Sequence, residues 1–189
     1  MAQYLHFVTL DVFTAEPFLG NPLALVFLPQ DTNSNTITQK QKQIIAREFN
    51  FSETIFIHPT LVPSIRGIDI FTSTQELRFA GHPTIGAASW FLHHSQNIQD
   101  RTLVKCISTK AGDIPISVWP DGIGTIAAQI PHNVRIHKYR FPLFELLRLH
   151  PSLIPFLDAN GSASKDFPIV SIDLHPTTGP SCVVKLVVL

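Results

Sequence analysis

The stretch that most constrains the fold runs from Thr74 to Trp90, TQELRFAGHPTIGAASW. It begins with strand-like residues, turns at Gly81-His82-Pro83 and continues with small and apolar residues. Proline suits the first turn of a helix, because the N–H that it lacks would be unpaired there in any case. Small residues let a helix pack closely against a sheet. The stretch therefore predicts a strand followed by a helix that is buried against a sheet.

Apolar and β-branched runs on both sides of this helix predict a sheet of about seven strands. The runs cover residues 4–13, 23–29, 52–59, 64–74, 103–109, 114–119 and 124–131. Thr38 and Gln41 stand at capping-box spacing before an amphipathic segment, which predicts a second helix. We therefore expect an α+β fold in which a mostly antiparallel sheet rolls around the central helix.

The composition of the chain changes after Pro131. A leucine-rich, helix-like segment covers 139–157, a Gly/Ser-rich hinge covers 160–166, and a final apolar run covers 167–189. We place a domain boundary near Pro131, so that 1–131 form a complete first half and 132–189 form a second region.

Charge and cysteine content narrow the possible partners. The formal net charge is +0 and the Lys and Arg residues are scattered, which argues against nucleic acid and membrane surfaces as partners. Cys106 and Cys182 lie outside any C-x-x-C spacing, and Cys106 falls in a predicted strand, where it reads as a core thiol. No apolar run approaches the ~20 residues that span a bilayer. We expect a cytoplasmic protein that binds small molecules or another protein chain.

Gly81 and His82 are candidates for ligand binding. The N–H groups and the dipole at a helix start favour a substrate carboxylate, and glycine permits close approach. The alternative is that Gly81 only forms a turn and His82 caps the helix.

Two further polar residues stand beside apolar runs. Glu53 is a lone acid in FSETIFI, where it could serve as a general acid or base, or could be a solvated residue at a strand end. Asn21 in FLGNPLAL could donate its amide to a ligand or stabilise its own turn.

The sequence lacks the motifs of several common kinds of functional site. The sequence contains no H-E-x-x-H, no Cys/His set at zinc spacing, no G-x-S-x-G, no P-loop and no G-x-G-x-x-G. We therefore expect no metal site, and the serine hydrolase, nucleotide hydrolase and dinucleotide-binding interpretations lose their main support.

Three segments occur in a characteristic order: DVFTAEPFLGNPLALV, IAREFNFSETIFI and LRFAGHPTIGAASWFL. Their succession, within about 9–131, resembles the N-terminal half of the phenazine-biosynthesis PhzF-like family, fold relatives of diaminopimelate epimerase. The resemblance implies two pseudo-symmetric halves, each a sheet rolled around a central helix, with the active site in the cleft between them.

The resemblance also implies roles for individual residues. Glu53 would be the acid/base that transfers the proton, and His82 would hold and polarise the substrate. Gly81, Pro83 and Asn21 would line the same pocket. The implied reaction is an isomerisation that moves a proton between carbons of a small cyclic carboxylic acid without a cofactor, in a homodimer. Diaminopimelate epimerases use two cysteine thiols instead, and this chain has Ala80-Gly81-His82 at the corresponding helix start.

The second region departs from the family pattern. Family members carry a D-P-x-T-G-S-A-like motif there, whereas HPTTGPS at 175–181 lacks the acidic residue. We therefore expect 132–189 to be a truncated second half, in which CVVKLVVL has no complete sheet to join. Two hypotheses follow: a PhzF-like isomerase, or a truncated, non-catalytic relative that is a fragment or a small-molecule- or protein-binding remnant.

Overall fold

The computed structural model describes residues 4–30, 37–120, 124–131, 133–151, 167–173 and 181–185. The strands there are β1 (His6–Val12), β2 (Asn21–Phe27), β3 (Glu53–Ile57), β4 (Ile65–Phe71), β5 (Glu76–Leu77), β6 (Cys106–Thr109), β7 (Gly112–Val118), β8 (Ile126–Pro131), β9 (Asn133–Phe141), β10 (Phe167–Asp173) and β11 (Ser181–Lys185). The helices are α1 (Gln39–Phe49), α2 (Gly81–Ser89), α3 (Ile98–Leu103) and α4 (Leu143–Leu149), and α2 runs on into a π-helical turn, Trp90–His94.

The main sheet has the strand order β1-β2-β3-β4-β6-β7-β8-β11, with β5 beside β4. Most neighbours are antiparallel, as expected, but β2 pairs with β3 and β4 pairs with β6 in parallel. Parallel neighbours need a long crossover connection, and α1 and α2 lie in these two crossovers. The two predicted helices therefore lie in the connections that allow two parallel pairs of strands in an otherwise antiparallel sheet.

The central helix α2 lies inside the curve of the sheet, as its small residues predicted. Ile85, Ala87 and Ala88 are fully buried in one cluster with side chains from β1, β2, β3, β4, β6, β7 and β8. Gly86 marks the closest approach, because a Cβ atom there would collide with Leu23. Glycine at this position lets the helix sit directly against β2.

The other side of the sheet is covered by α1. The predicted capping box is present: the Thr38 hydroxyl accepts from the Gln41 N–H at 3.3 Å, and the Gln41 side chain accepts from the Thr38 N–H at 2.8 Å. Asn50 ends the helix in a left-handed conformation (φ 54°), and its N–H donates to the Ala46 carbonyl. The chain then reaches β3 within three residues, so the end of α1 fixes where β3 begins.

A buried ion pair ties α1 to β4. Lys42 and Asp69 are 5% and 8% exposed, and the Lys42 ammonium donates to the Asp69 carboxylate. His58 Nε2 lies 3.0 Å from the same carboxylate oxygen. Burial opposes ionisation of Asp69, but the hydrogen bonds from His58 and Lys42 outweigh it and lower its pKa from 3.8 to about 2.

The second region differs from its sequence-based prediction. Strand β9 occupies the start of the segment expected to be helical, and α4 follows it. Strands β9 and β10 form a separate two-stranded sheet. Strand β11 pairs with β8, so residues 181–185 of the last apolar run do join the main sheet. The hinge 160–166 and residues 175–180 lie outside the described residues, and the boundary near Pro131 stays a prediction.

Among the helices in the described ranges, none has both the length and the apolar character that crossing a membrane requires.

The ion pair beneath α1 predicts a pH-dependent loss of stability in Asp69→Asn. This substitution leaves the buried Lys42 ammonium without its counter-charge, so we expect the free energy of unfolding to fall by about 3 kcal/mol at pH 7. Because the Asp69 carboxyl has a depressed pKa in the folded state, its contribution is complete above pH 4 and disappears as the pH falls towards 2. Urea unfolding of both proteins at several pH values measures the difference.

Glu48→Gln is the matched control, because Glu48 is an exposed carboxylate on the same helix. We expect its free energy of unfolding to stay within about 0.5 kcal/mol of the parent protein. A gap between Asp69→Asn and the parent that is equally large at pH 2.5 and pH 7 would contradict this account.

Candidate active site

The alternation of side chains along two parallel strands brings the polar candidates together. Asn21 opens β2 and Glu53 opens β3. Successive side chains of a strand point to opposite faces, so these two share the inner face with residues two and four positions further on. Those residues belong to the core cluster around α2: Leu23, Leu25, Ile55 and Ile57. Asn21 and Glu53 therefore lie at one end of the enclosed core.

The start of α2 lies at the same end. Glu53 Oε2 is 2.8 Å from His82 Nδ1, and His82 Nε2 is 3.1 Å from the Asn21 carbonyl oxygen. The side chains of Glu53 and His82 are only 18% and 10% exposed. Glu53 is therefore not a solvated strand-end residue. The His82 side chain does not cap α2 either, since the helix has no side-chain cap.

The two hydrogen bonds of His82 determine where protons can be. The Asn21 carbonyl oxygen can only accept, so His82 Nε2 carries a hydrogen. In a neutral ring the other nitrogen, Nδ1, is then an acceptor, and its bond to Glu53 requires a protonated carboxyl group. In a charged ring Nδ1 donates to a carboxylate instead. Glu53 and His82 thus share one proton in either state, which is the property that an acid/base group needs.

The remaining site candidates surround this pair in different ways. The Ser52 hydroxyl donates to Asn21 Oδ1 at 3.2 Å, which leaves the Asn21 amide hydrogens directed elsewhere. A Cβ atom at Gly81 would meet none of the described residues within 4 Å. Pro83 is buried in the first turn of α2. A ligand contact by Asn21, Gly81 or Pro83 stays a prediction.

Phe13 is a neighbour of the site that sequence reasoning missed. Its ring centroid lies 5.6 Å from that of His82, and the two planes are inclined by 54°. The sequence shows Phe13 only as the end of an apolar strand. Its backbone has a φ of 71°, which takes the chain out of β1 and which no residue pattern signals for a phenylalanine.

A further feature of the surface is a groove that is separate from the Glu53–His82 pair. Its volume is about 600 Å³, and it is lined by β1, the loop after β1, the end of α2 with its π-helical turn, and Gly124. Neither Glu53 nor His82 lines it. This groove and the Glu53–His82 pair are therefore separate features of the structure.

Cys106 lies in β6, as predicted, and is partly buried. Burial raises the pKa of its thiol, and the nearby Asp113 carboxylate raises it further. A thiol with a raised pKa is a poor nucleophile at neutral pH, which fits a structural role.

The hydrogen bonds of His82 predict its tautomer. Because Nε2 faces a carbonyl oxygen, we expect Nε2 to carry a hydrogen. Long-range ¹H–¹⁵N spectra of the histidines report this directly, and the signals of His82 are those lost in His82→Gln. A neutral ring protonated on Nδ1 alone would contradict the geometry described above.

Comparison with known proteins agrees with this fold. A family model described as phenazine biosynthesis-like protein matches residues 10–187. The chain is also similar to a crystal structure of a PhzF-family phenazine biosynthesis protein from Bacillus anthracis, with 25% identity and a TM-score of 0.58 over 96% of this chain and 55% of that one. A predicted epimerase from Pseudomonas aeruginosa, at 22% identity and a TM-score of 0.57, shares the fold over 89% of this chain and 56% of that chain.

Curated relatives match about half of the chain. An uncharacterised isomerase of Pasteurella multocida is 47% identical over 103 residues, which is 54% of this chain and 32% of that protein. A trans-2,3-dihydro-3-hydroxyanthranilate isomerase of Pseudomonas chlororaphis is 42% identical over 95 residues, 49% of this chain and 31% of that protein. The matched part is thus about a third of these relatives' length. The chain belongs to the phenazine biosynthesis-like family and has its α+β, diaminopimelate epimerase-like fold.

Proposed function

We propose that this protein is an isomerase that moves a proton between two carbons of a small cyclic carboxylic acid. Glu53 is the group that removes the proton and returns it. The observation that carries this proposal is the 2.8 Å contact between Glu53 and His82 at the mouth of the enclosed core. One shared proton at a largely dehydrated position supplies both a base and an acid.

His82 has a supporting role in this reaction. Its Nε2–H is held by the Asn21 carbonyl, which fixes the ring and leaves Nδ1 to Glu53. When Glu53 takes a proton from carbon, the charge on its carboxyl group changes. The shared hydrogen bond lets the imidazole compensate part of that change. His82 therefore orients Glu53 and keeps its proton within reach of the substrate.

The start of α2 is the proposed anchor for the substrate carboxylate. The N-cap residue Ala80 makes no side-chain hydrogen bond and Pro83 has no N–H, so Gly81 and His82 supply the N–H groups that we expect an anion to meet at this helix start. A Cβ atom added at Gly81 would meet no described residue within 4 Å, so the side of Gly81 on which it would stand is open there. An acid bound there places its carbon skeleton beside the Glu53–His82 pair, since His82 is the second residue of the same helix.

The relatives support the reaction class. The Pseudomonas chlororaphis protein is named for isomerising trans-2,3-dihydro-3-hydroxyanthranilate, a cyclic carboxylic acid. We extend this to the chain as a cyclohexadiene carboxylic acid substrate, with catalysis that needs no cofactor and with a cytoplasmic homodimer as the working form. Moving a proton between carbons changes no oxidation state of the substrate as a whole, so positioned acid/base groups are sufficient.

Deuterium exchange tests the role of Glu53. We expect the protein to incorporate deuterium into a cyclohexadiene carboxylic acid in D₂O, because the Glu53 proton exchanges with solvent between removal and return. Glu53→Gln keeps the shape and a hydrogen bond to His82 but cannot transfer the proton, so its rate should fall at least about 100-fold. Proton NMR of the substrate measures the rate.

Glu48→Gln controls for the loss of a carboxylate, since Glu48 is exposed and five residues away in sequence. Its exchange rate should equal that of the parent protein. Equal exchange rates for the parent protein and Glu53→Gln would show that Glu53 does not transfer the proton. A folded parent that binds the acid without any exchange would favour the alternative hypothesis, a non-catalytic binding protein.

Gly81→Ala tests the carboxylate anchor separately. In the part of the chain that the structure describes, no atom lies within 4 Å of a methyl group at Gly81, so we expect the free energy of unfolding to be unchanged within about 0.5 kcal/mol. The methyl group would, however, occupy the space proposed for the carboxylate, and KM for the acid should rise about 10-fold. An unchanged KM in a folded Gly81→Ala protein would place the carboxylate elsewhere.

A further inference from the structure

Phe13 occupies a backbone conformation that a bulky residue rarely adopts. Its φ is 71°, and Phe18 in the same loop has a φ of 69°. Left-handed conformations cost non-glycine residues about 1 kcal/mol or more and persist only where the surroundings impose them. Such residues concentrate at ligand clamps and active sites, so the loop between β1 and β2 calls for a physical account.

Several contacts hold this loop against the end of β1. The Phe18 N–H donates to the Asp11 carboxylate, and the Thr14 hydroxyl accepts from the Glu16 N–H at 3.0 Å. A Cβ atom at Gly20 would lie 2.6 Å from the Val12 carbonyl oxygen, so the loop closes as tightly as a glycine allows. These contacts hold the loop on both sides of Phe13 close to the end of β1.

The ring of Phe13 does more than cover His82. The side chain of His82 is already 90% removed from solvent, yet Phe13 remains 36% exposed beside it. An apolar ring is thus presented at the edge of the Glu53–His82 pair with part of its surface free. Aromatic faces bind other planar rings in offset or tilted arrangements.

We propose that Phe13 is a specificity-determining residue that contacts the ring of the substrate. It forms a wall of the pocket and selects planar, unsaturated cyclic acids over acyclic acids of the same charge. This inference rests on the proposed function, because it assigns a ring-shaped acid to the site at Glu53 and His82. Phe13 takes no part in the proton transfer itself.

The same loop provides a matched control. Phe18 is also a phenylalanine with left-handed backbone, but it is 93% exposed. Asparagine adopts this backbone conformation more readily than other residues with a side chain. Phe13→Asn and Phe18→Asn therefore each remove one ring from the loop without adding strain, and Phe13→Tyr keeps a ring at the site.

The experiment compares two acids of equal charge, benzoate and butyrate, in NMR titrations of the full chain. We expect Phe13→Asn to weaken benzoate binding about 5-fold relative to butyrate, while Phe18→Asn and Phe13→Tyr leave the ratio of the two dissociation constants unchanged. Nuclear Overhauser effects between benzoate and the Phe13 ring in the parent protein supply a measurement that needs no folded Phe13→Asn variant.

The outcomes separate this inference from the proposed function. Benzoate binding measures ring recognition and needs no turnover, so it can be repeated in Glu53→Gln. A Phe13-dependent preference for benzoate without any deuterium exchange would support the role of Phe13 in ring recognition and would contradict the proposed isomerase activity. Glu53-dependent exchange with an unchanged benzoate-to-butyrate ratio in Phe13→Asn, or a parent protein that does not bind benzoate, would overturn the role of Phe13.

Discussion

The packing of α2 inside the curved sheet is the contact on which the rest of the structure depends. A helix can be enclosed by strands on several sides only if its own side chains are small, and Ala87, Ala88 and Gly86 supply that. The contact at Gly86 brings the helix backbone up to Leu23 of β2. Once α2 is fixed in this way, its first residues must emerge at the end of the enclosed core, which is where Asn21 and Glu53 begin their strands.

The site follows from that packing through simple geometry. Strands β2 and β3 are parallel neighbours, with Leu23 beside Glu53 in the register. Their first inward side chains therefore lie at the end of the core, where the second residue of α2, His82, contacts the Glu53 carboxyl group and the Asn21 backbone carbonyl. The three residues lie far apart in the chain, and no segment contributes more than one of them. The tertiary fold therefore brings the proton-sharing pair together, since no single local segment contains both residues.

Much of this arrangement could be predicted from the sequence because it depends on local patterns. The capping box at Thr38 and the proline in the first turn of α2 are local signals, and the structure confirms both helices. The parallel pairing of β2 with β3 depends on how a crossover folds back, which strand composition does not report. The left-handed backbone of Phe13 lies in a loop whose contacts, Asp11 with Phe18 and Gly20 with Val12, join residues seven or eight positions apart, so the residue itself carries no signal of it.

The position of the shared proton limits the stereochemistry of the proposed reaction. Glu53 begins β3 on the inner face of the sheet and contacts His82 Nδ1, and the second ring nitrogen of His82 is held by the Asn21 carbonyl. A single acid/base pair in that position removes and returns the proton on one face of the substrate ring. Racemisation at one carbon needs a second group on the opposite face, which is what the paired thiols of the epimerases provide. Relocation of a proton along one face of a planar ring is therefore the chemistry that suits a carboxyl–imidazole pair beside an aromatic wall.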